Sequence, residues 1–209
     1  MAGHEAGPRF PAAPPERIDL SSGVALVRCD PARAASAVKA INESLDHLRP
    51  WMAWAAQPAT EASIGTFFAA SAELWDQHRD FGYSIFDTAT DEVVGGCGLH
   101  GRLGLHGLEI GYWVHVARSG RGVATAAARA LTDAAFALPG IERVRIRCED
   151  GNVRSARVPE KLGYSFRGVT LPPDGPCQGR PTQVWIVERP AWTELTAAPA
   201  SPGEVPPAS

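Results

Sequence analysis

Residues 108–131 read LEIGYWVHVARSGRGVATAAARAL. It starts like a strand, passes through Gly120 and Gly122, and ends in an alanine-rich run of helical period. The first N–H groups of a helix have no partner within that helix, and the helix dipole favours negative charge there. The stretch therefore predicts a strand, a glycine turn and a helix N-terminus able to bind phosphate, with Arg118 and Arg121 as additional charged donors.

The turn differs from two common phosphate-binding motifs. The sequence lacks G-x-x-x-x-G-K-[ST], the signature of nucleotide hydrolases. The strand ahead of the turn belongs to a predicted antiparallel meander, whereas a dinucleotide fingerprint opens a βαβ unit. Taken alone, the turn fits ordinary helix capping as well as it fits ligand binding.

The elements around this stretch follow the order β, α, α, β, β, β, α, β, α, β, β, which predicts one α+β domain with a mixed sheet. Strands are predicted at 23–29, 81–87, 92–101, 108–116, 142–149, 164–169 and 183–189, and helices at 30–48, 60–78, 123–138 and 152–163. The ends are rich in Pro, Ala and Gly, so we expect disordered tails at 1–16 and 197–209 around a domain at 17–196.

Composition excludes several classes of protein. The 209 residues carry a net charge of −3, which argues against binding nucleic acid or an anionic membrane. No apolar run reaches the roughly 20 residues that span a bilayer, and the N-terminus lacks the apolar centre of a signal peptide, so we expect a soluble cytoplasmic protein. The four cysteines and the histidines lack metal-ligand spacing. The abundance of Arg, Ala, Gly and Pro is typical of a GC-rich bacterial genome.

The segment after the glycine turn identifies a family. Residues 144–169 read VRIRCEDGNVRSARVPEKLGYSFRGV and contain N-x-x-S at 152–155 and EKLGY at 160–164, while residues 47–54 read HLRPWMAW. With these motifs the chain resembles the Gcn5-related N-acetyltransferase (GNAT) superfamily and, within it, the ribosomal-protein N-acetyltransferase (Rim-type) group. The resemblance covers residues 18–190. It implies a mixed, mostly antiparallel central sheet flanked by helices, in which two central strands splay to form an acyl-CoA cleft.

The resemblance implies acetyl-CoA as the acyl donor, with no metal. The backbone N–H groups expected at its pyrophosphate are those of Arg121, Gly122, Val123, Ala124 and Thr125. The strand backbone expected along its pantetheine arm is that of Trp113, Val114 and Val116, with Asn152 on the other side. The family begins its turn motif with Gln or Arg, whereas Ser119 stands here, and Arg118 or Arg121 would compensate.

The resemblance also suggests the catalytic residues. Many family members use a tyrosine as the acid, but Pro159 occupies that position, so Ser155 is the candidate to hydrogen-bond or protonate the departing thiolate. Glu109 is the candidate general base, directly or through water. The alternative for Glu109 is a salt bridge with Arg102 or Arg147. Ser155 could also be a helix-start hydroxyl, and Asn152 a helix N-cap.

The acceptor is the part that the sequence defines least. Arg49, Trp51 and Trp54 are the candidate acceptor-binding residues, although both tryptophans are equally compatible with packing. The expected acceptor is a primary amine, either a protein N-terminus or a small molecule, and a homodimer fits the resemblance. Two alternatives stay open: a non-catalytic acyl-CoA-binding or sensor protein, and a transferase that uses another donor such as succinyl-CoA.

Overall fold

The computed structural model describes residues 7–21, 23–173 and 177–197, in which eight strands form one sheet in the order β1-β2-β3-β4-β5-β6-β8-β7. The strands are β1 Arg17–Asp19, β2 Val24–Arg28, β3 Asp80–Asp87, β4 Val93–His100, β5 Gly107–Val114, β6 Arg143–Glu149, β7 Ser165–Thr170 and β8 Thr182–Glu188. The helices are α1 Ala34–Glu43, α2 Leu45–Leu48, α3 Glu61–Asp76, α4 Val123–Ala137, α5 Val153–Lys161 and α6 Arg189–Ala197. Short 3₁₀ turns cover Pro31–Arg33, Ala53–Ala56 and Val116–Arg118. The predicted α+β architecture is confirmed.

One strand pair positions the functional site. Every neighbouring pair in the sheet is antiparallel except β5 and β6, which are parallel. Their pairing runs from Gly107 opposite Arg143 to Ile110 opposite Ile146 and then stops. Because both strands continue beyond that point, they separate and leave an opening in the middle of the sheet.

The core holds the two strands in place up to the point where they separate. Leu108 and Ile110 of β5 and Val144 and Ile146 of β6 are almost completely buried in one cluster with Leu131 of α4. Burying a side chain of this size stabilises the fold by about 2 kcal/mol. The separation therefore begins directly after a rigid, well-packed region.

The predicted first helix is interrupted. Asp30 accepts a hydrogen bond from the Ala32 N–H (2.9 Å) at the start of the 3₁₀ turn, but Ser44 breaks the run into α1 and α2. The Ser44 hydroxyl donates to the Ala40 carbonyl (2.8 Å) and accepts the Val116 N–H (3.1 Å). The break thus ties the end of α1 to the loop that follows β5.

The predicted N-terminal tail is wrong for residues 7–16. Phe10 is 1% exposed, and its N–H donates to the His78 carbonyl (2.8 Å). The Tyr83 hydroxyl donates to the Pro15 carbonyl (2.8 Å). These contacts join the segment to the rest of the fold, so the domain begins before residue 17. Residues 1–6 and 198–209, the rest of the predicted tails, lie outside the described residues.

Two elements escaped prediction. β1 is only three residues long, and α6 follows β8 without a break. Within the described part of the chain, none of the helices has the length and apolar character needed to cross a membrane.

Candidate active site

A cleft of about 660 Å³ lies where β5 and β6 separate. Its walls come from the end of β5, the glycine turn with the start of α4, the start and one face of α5, and the segment around α2. Elements distant in sequence therefore meet at the opening in the sheet.

The glycine turn closes one end of this cleft. Gly120 and Gly122 have φ angles of +77° and +81°, in the left-handed region that glycine adopts without strain. The first backbone hydrogen bond of α4 runs from the Ala126 N–H to the Gly122 carbonyl (2.9 Å). The N–H groups of residues 123–125 come before that bond, and all three residues line the cleft. This end has the geometry of an anion-binding site.

The two arginines of the turn differ in position. Arg118 lines the cleft and forms a salt bridge with Asp87, so part of its charge is already neutralised. Ser119 also lines the cleft, whereas Arg121 is exposed and is not among the residues that line it. Of the two arginines, only Arg118 is in a place to substitute for the missing Gln or Arg of the motif.

The backbone of β5 alternates in direction along the opening. The His115 N–H donates to the Val94 carbonyl (2.9 Å), and Trp113 lies opposite Gly96 of β4. In an antiparallel pair, alternate residues bond to the same neighbour, so the backbone groups of Trp113 face β4 and those of Val114 face the opening. Val116 is not available as predicted, because its N–H already donates to Ser44.

Asn152 and Ser155, at the start of α5, lie in the cleft with Tyr112 of β5. The Asn152 side chain caps α5 by accepting the Ser155 N–H (3.1 Å). The Tyr112 hydroxyl donates to the Ser155 carbonyl (3.0 Å). It also lies 3.2 Å from the Ser155 hydroxyl, and in that pair either hydroxyl can donate. All three residues line the cleft, so the capping function of Asn152 and its place in the cleft are compatible.

The hydroxyl and thiol groups near these residues are protonated at neutral pH. Burial raises the pKa of the Tyr112 hydroxyl above its ordinary value, and the hydrogen bond with Ser155 offsets only part of that effect. Burial likewise raises the pKa of the Cys148 thiol to about 11. Tyr112 and Ser155 therefore form a pair of neutral proton donors, and Cys148 is a poor nucleophile.

Glu109 corrects our expectation of a general base. It is 2% exposed and contacts Arg102 (2.7 Å), Arg145 (2.6 Å) and Arg147 (2.7 Å), and it is not among the residues that line the cleft. Burial alone would raise its pKa, but Arg145 and Arg147, together with Arg102, lower it to about 2. Such a carboxylate is a very weak base. The contacts of Glu109 thus match the alternative prediction, a salt bridge with Arg102 or Arg147.

The segment after α2 forms the outer part of the cleft. Trp51 lines it, and Trp54, 47% exposed, packs edge-on against Trp113 with ring centroids 6.1 Å apart. Arg49 lies outside the cleft, where it contacts Asp46 (3.3 Å), so its predicted contact with the acceptor is not supported.

Arg180 holds this segment against the sheet. Its guanidinium contacts Glu149 at the end of β6 (2.5 Å) and donates to the Trp51 carbonyl (3.2 Å). The loop between β7 and β8 and the segment after α2 are thereby joined at the mouth of the cleft.

Several cleft residues were missed by sequence reasoning. Arg154, Arg157 and Lys161 line the cleft from one face of α5, and His47 lines it from α2. The i, i+3, i+7 spacing of the three cations was the available signal, but we interpreted this segment only through its N-x-x-S and EKLGY motifs. No Asp or Glu is among the described residues that line the cleft, so its walls are strongly positive. The described residues contain no His, Cys, Asp and Glu group suited to a metal ion.

Known structures share this fold. A RimL ribosomal L7/L12 alpha-N-protein acetyltransferase, solved with coenzyme A joined to a cysteine, superposes with a TM-score of 0.74 and 16% identity over 83% of this chain and 98% of that one. Mycobacterium smegmatis RimJ, solved with CoA-disulfide, superposes with a TM-score of 0.72 and 22% identity over 87% of this chain and 92% of that one. At these identities the similarity shows the fold alone.

Sequence similarity to curated relatives is more local. YdaF of Bacillus subtilis (strain 168), which carries the provisional name of a ribosomal N-acetyltransferase, is 39% identical over 77 residues, or 34% of this chain and 42% of YdaF. YjcK of the same organism, named as a probable N-acetyltransferase, is 29% identical over 99 residues, or 46% of this chain and 55% of YjcK. The chain thus spans about half the length of these relatives. Residues 29–165 match the family defined as the acetyltransferase (GNAT) domain, and the chain belongs to that family.

Proposed function

We propose that this chain is an acetyl-CoA-dependent N-acetyltransferase that transfers the acetyl group directly to a primary amine. The observation that carries the proposal is the opening between β5 and β6, which joins the glycine turn at one end to the Ser155 and Tyr112 hydroxyls in the same cleft. A long ligand with a phosphate group at one end and a thioester at the other fits this arrangement.

Each part of acetyl-CoA can be assigned to a different part of the cleft. Its pyrophosphate would accept hydrogen bonds from the first N–H groups of α4, and the cations of α5 add positive charge. Its pantetheine arm would pass between β5 and β6. There the backbone groups of Val114 point away from β4 and towards the opening, and Asn152 lies across the cleft. The coenzyme A and CoA-disulfide in the solved RimL and RimJ structures support this donor.

The chemistry needs an amine, an oxyanion donor and an acid. The neutral amine attacks the thioester carbonyl, a backbone N–H stabilises the developing oxyanion, and the departing sulfur takes a proton. The Ser155 hydroxyl would donate that proton and regain one through Tyr112. Tyr112 thus supplies a phenol where Pro159 replaces the tyrosine of other family members.

The acceptor that we favour is a protein N-terminal amine. The solved RimL is named as an alpha-N-protein acetyltransferase of ribosomal L7/L12. Trp51 in the cleft lining and the exposed Trp54, which packs against Trp113, suit an extended peptide. A small-molecule amine is the alternative acceptor.

The test combines binding and turnover. Purified protein is titrated calorimetrically with acetyl-CoA and succinyl-CoA, and thiol release is then followed with a panel of peptide N-termini and small amines. Micromolar binding of acetyl-CoA and release that depends on the amine are expected. Binding without release from any amine would favour the sensor alternative, a preference for succinyl-CoA would change the donor, and no binding of either would refute the proposal.

A further inference from the structure

A primary amine reaches the enzyme mainly as an ammonium ion and must lose a proton before it can attack. Glu109 is poorly suited to accept that proton, because it lies outside the cleft lining and forms salt bridges with three arginines that lower its pKa to about 2. No carboxylate is found among the described residues that line the cleft. Among the described residues that line the cleft, a proton acceptor would therefore be of another type.

His47 is the cleft residue with the required chemistry. The helical turn of α2 continues past its last residue, because the Arg49 N–H donates to the Leu45 carbonyl (2.8 Å) and the Trp51 N–H to the Leu48 carbonyl (2.9 Å). His47 and Trp51, four residues apart, therefore share one face, and both line the cleft. His47 thus lies beside the tryptophan at the acceptor side.

The position of His47 is fixed by the body of the protein. α2 follows Ser44 directly, and the Ser44 hydroxyl accepts the Val116 N–H from the loop after β5 (3.1 Å). Leu48, the next residue along α2, is 4% exposed. The imidazole is thus carried by an anchored turn and not by a free loop.

A cation of α5 acts on His47 in the cleft. The charge of Arg154 lowers the pKa of the imidazole, and Arg157, Lys161 and Arg118 line the same cleft. The acids of its own segment face other groups: Asp46 contacts Arg49 (3.3 Å), and Glu43 of α1 contacts His115 (3.0 Å).

These surroundings keep the imidazole neutral. Burial lowers the pKa of His47, and the charge of Arg154 lowers it further. At neutral pH the neutral ring therefore has a nitrogen free to accept a proton.

We propose that His47 is the proton acceptor for the substrate ammonium, an inference that rests on the proposed transferase function. One N–H bond of the ammonium breaks and its proton passes to an imidazole nitrogen. The neutral amine then forms the C–N bond while the C–S bond breaks. The amine nitrogen loses a second proton and the sulfur gains one through Ser155, so the net products are the amide, the thiol and one proton.

The test is the pH dependence of turnover in His47→Gln. At saturating acetyl-CoA and pH 7, we expect kcat to fall about 10-fold or more, while the Kd for acetyl-CoA stays within about 2-fold. The loss should shrink as the pH approaches the pKa of the amine itself, because the substrate then arrives deprotonated. His106→Gln is the matched control, since His106 is 65% exposed and outside the cleft.

A second variant separates a proton acceptor from a merely structural residue. Arg154→Ala removes the charge that lowers the pKa of His47, so the acidic limb of the pH profile should move to higher pH. A His47→Gln enzyme with wild-type kcat at pH 7, or with the same loss of kcat at every pH, would overturn this inference and leave the proposed function intact. Wild-type protein that releases no thiol with any amine would overturn the proposed function as well.

Discussion

Replacing Glu109 with glutamine removes the charge that three arginines share while keeping the shape of the side chain. The carboxylate is 2% exposed, and the arginine side chains range from 6% to 23% exposed, so solvent screens this cluster weakly. We expect Glu109→Gln to lower the free energy of unfolding markedly at neutral pH, because the three cations would repel one another without a counter-charge.

The magnitude follows from the pKa. A fall from the ordinary value of 4.5 to about 2 corresponds to about 3 kcal/mol of stability, at about 1.4 kcal/mol per pKa unit. Because the folded-state pKa is lowered, this stability is present above pH 4.5 and is lost as the pH falls towards 2. The difference between wild type and variant should therefore be largest at neutral pH and small near pH 2.

Urea denaturation at several pH values measures this difference. Glu92→Gln is the control, because Glu92 pairs with Lys39 at 2.7 Å and both side chains are more than half exposed. The free energy of unfolding of that variant should fall by less than about 1 kcal/mol. The structural interpretation also predicts that folded Glu109→Gln keeps most of its kcat. Wild-type stability combined with a loss of kcat of about 100-fold would refute our reasoning and restore Glu109 as the base.

Three further predictions concern the cleft. Ser155→Ala and Tyr112→Phe should each lower kcat about 10-fold or more with little change in the Kd for acetyl-CoA, and an unchanged kcat in both would exclude the proposed proton donors. Gly122→Ala should lower the free energy of unfolding by about 1 kcal/mol, because the φ angle is +81° although no atom crowds an added Cβ. The same variant should bind the coenzyme more weakly in calorimetry. The double change Arg157→Ala and Lys161→Ala should weaken binding and flatten its salt dependence, whereas unchanged affinity would remove α5 from the phosphate site.

The fold was predictable because its signals are local. The change from strand to helical period around Gly120 and Gly122 is visible in the sequence, and both glycines adopt the left-handed conformation that the turn requires. The helix predicted at 60–78 likewise begins with a local signal, because the Thr60 hydroxyl caps α3 by accepting the Ser63 N–H (3.1 Å). Phe10 was missed because its contact with the carbonyl of His78 joins residues distant in sequence.

The site was less predictable because its electrostatics depend on neighbouring strands. Alternation placed Glu109 on the side of β5 opposite Leu108 and Ile110, as expected for a strand. The alternation within β5 could not show that Arg145 and Arg147 of β6 lie on the same side of the sheet as Glu109 and contact its carboxylate. Which strand adjoins β5, and in which register, decides whether this acid is a base or part of a salt-bridge cluster.

Pro159 and Tyr112 show why a motif position and a chemical role can separate. Judged by position 159 alone, the chain has lost its acid, and a non-catalytic protein would be the natural interpretation. The Tyr112 hydroxyl nevertheless lies 3.2 Å from the Ser155 hydroxyl in the same cleft, supplied by β5 and not by α5. A proton donor has only to reach the departing sulfur, and any element bordering the opening can carry it. Residues on the walls of the opening therefore bear more directly on activity than agreement at one motif position.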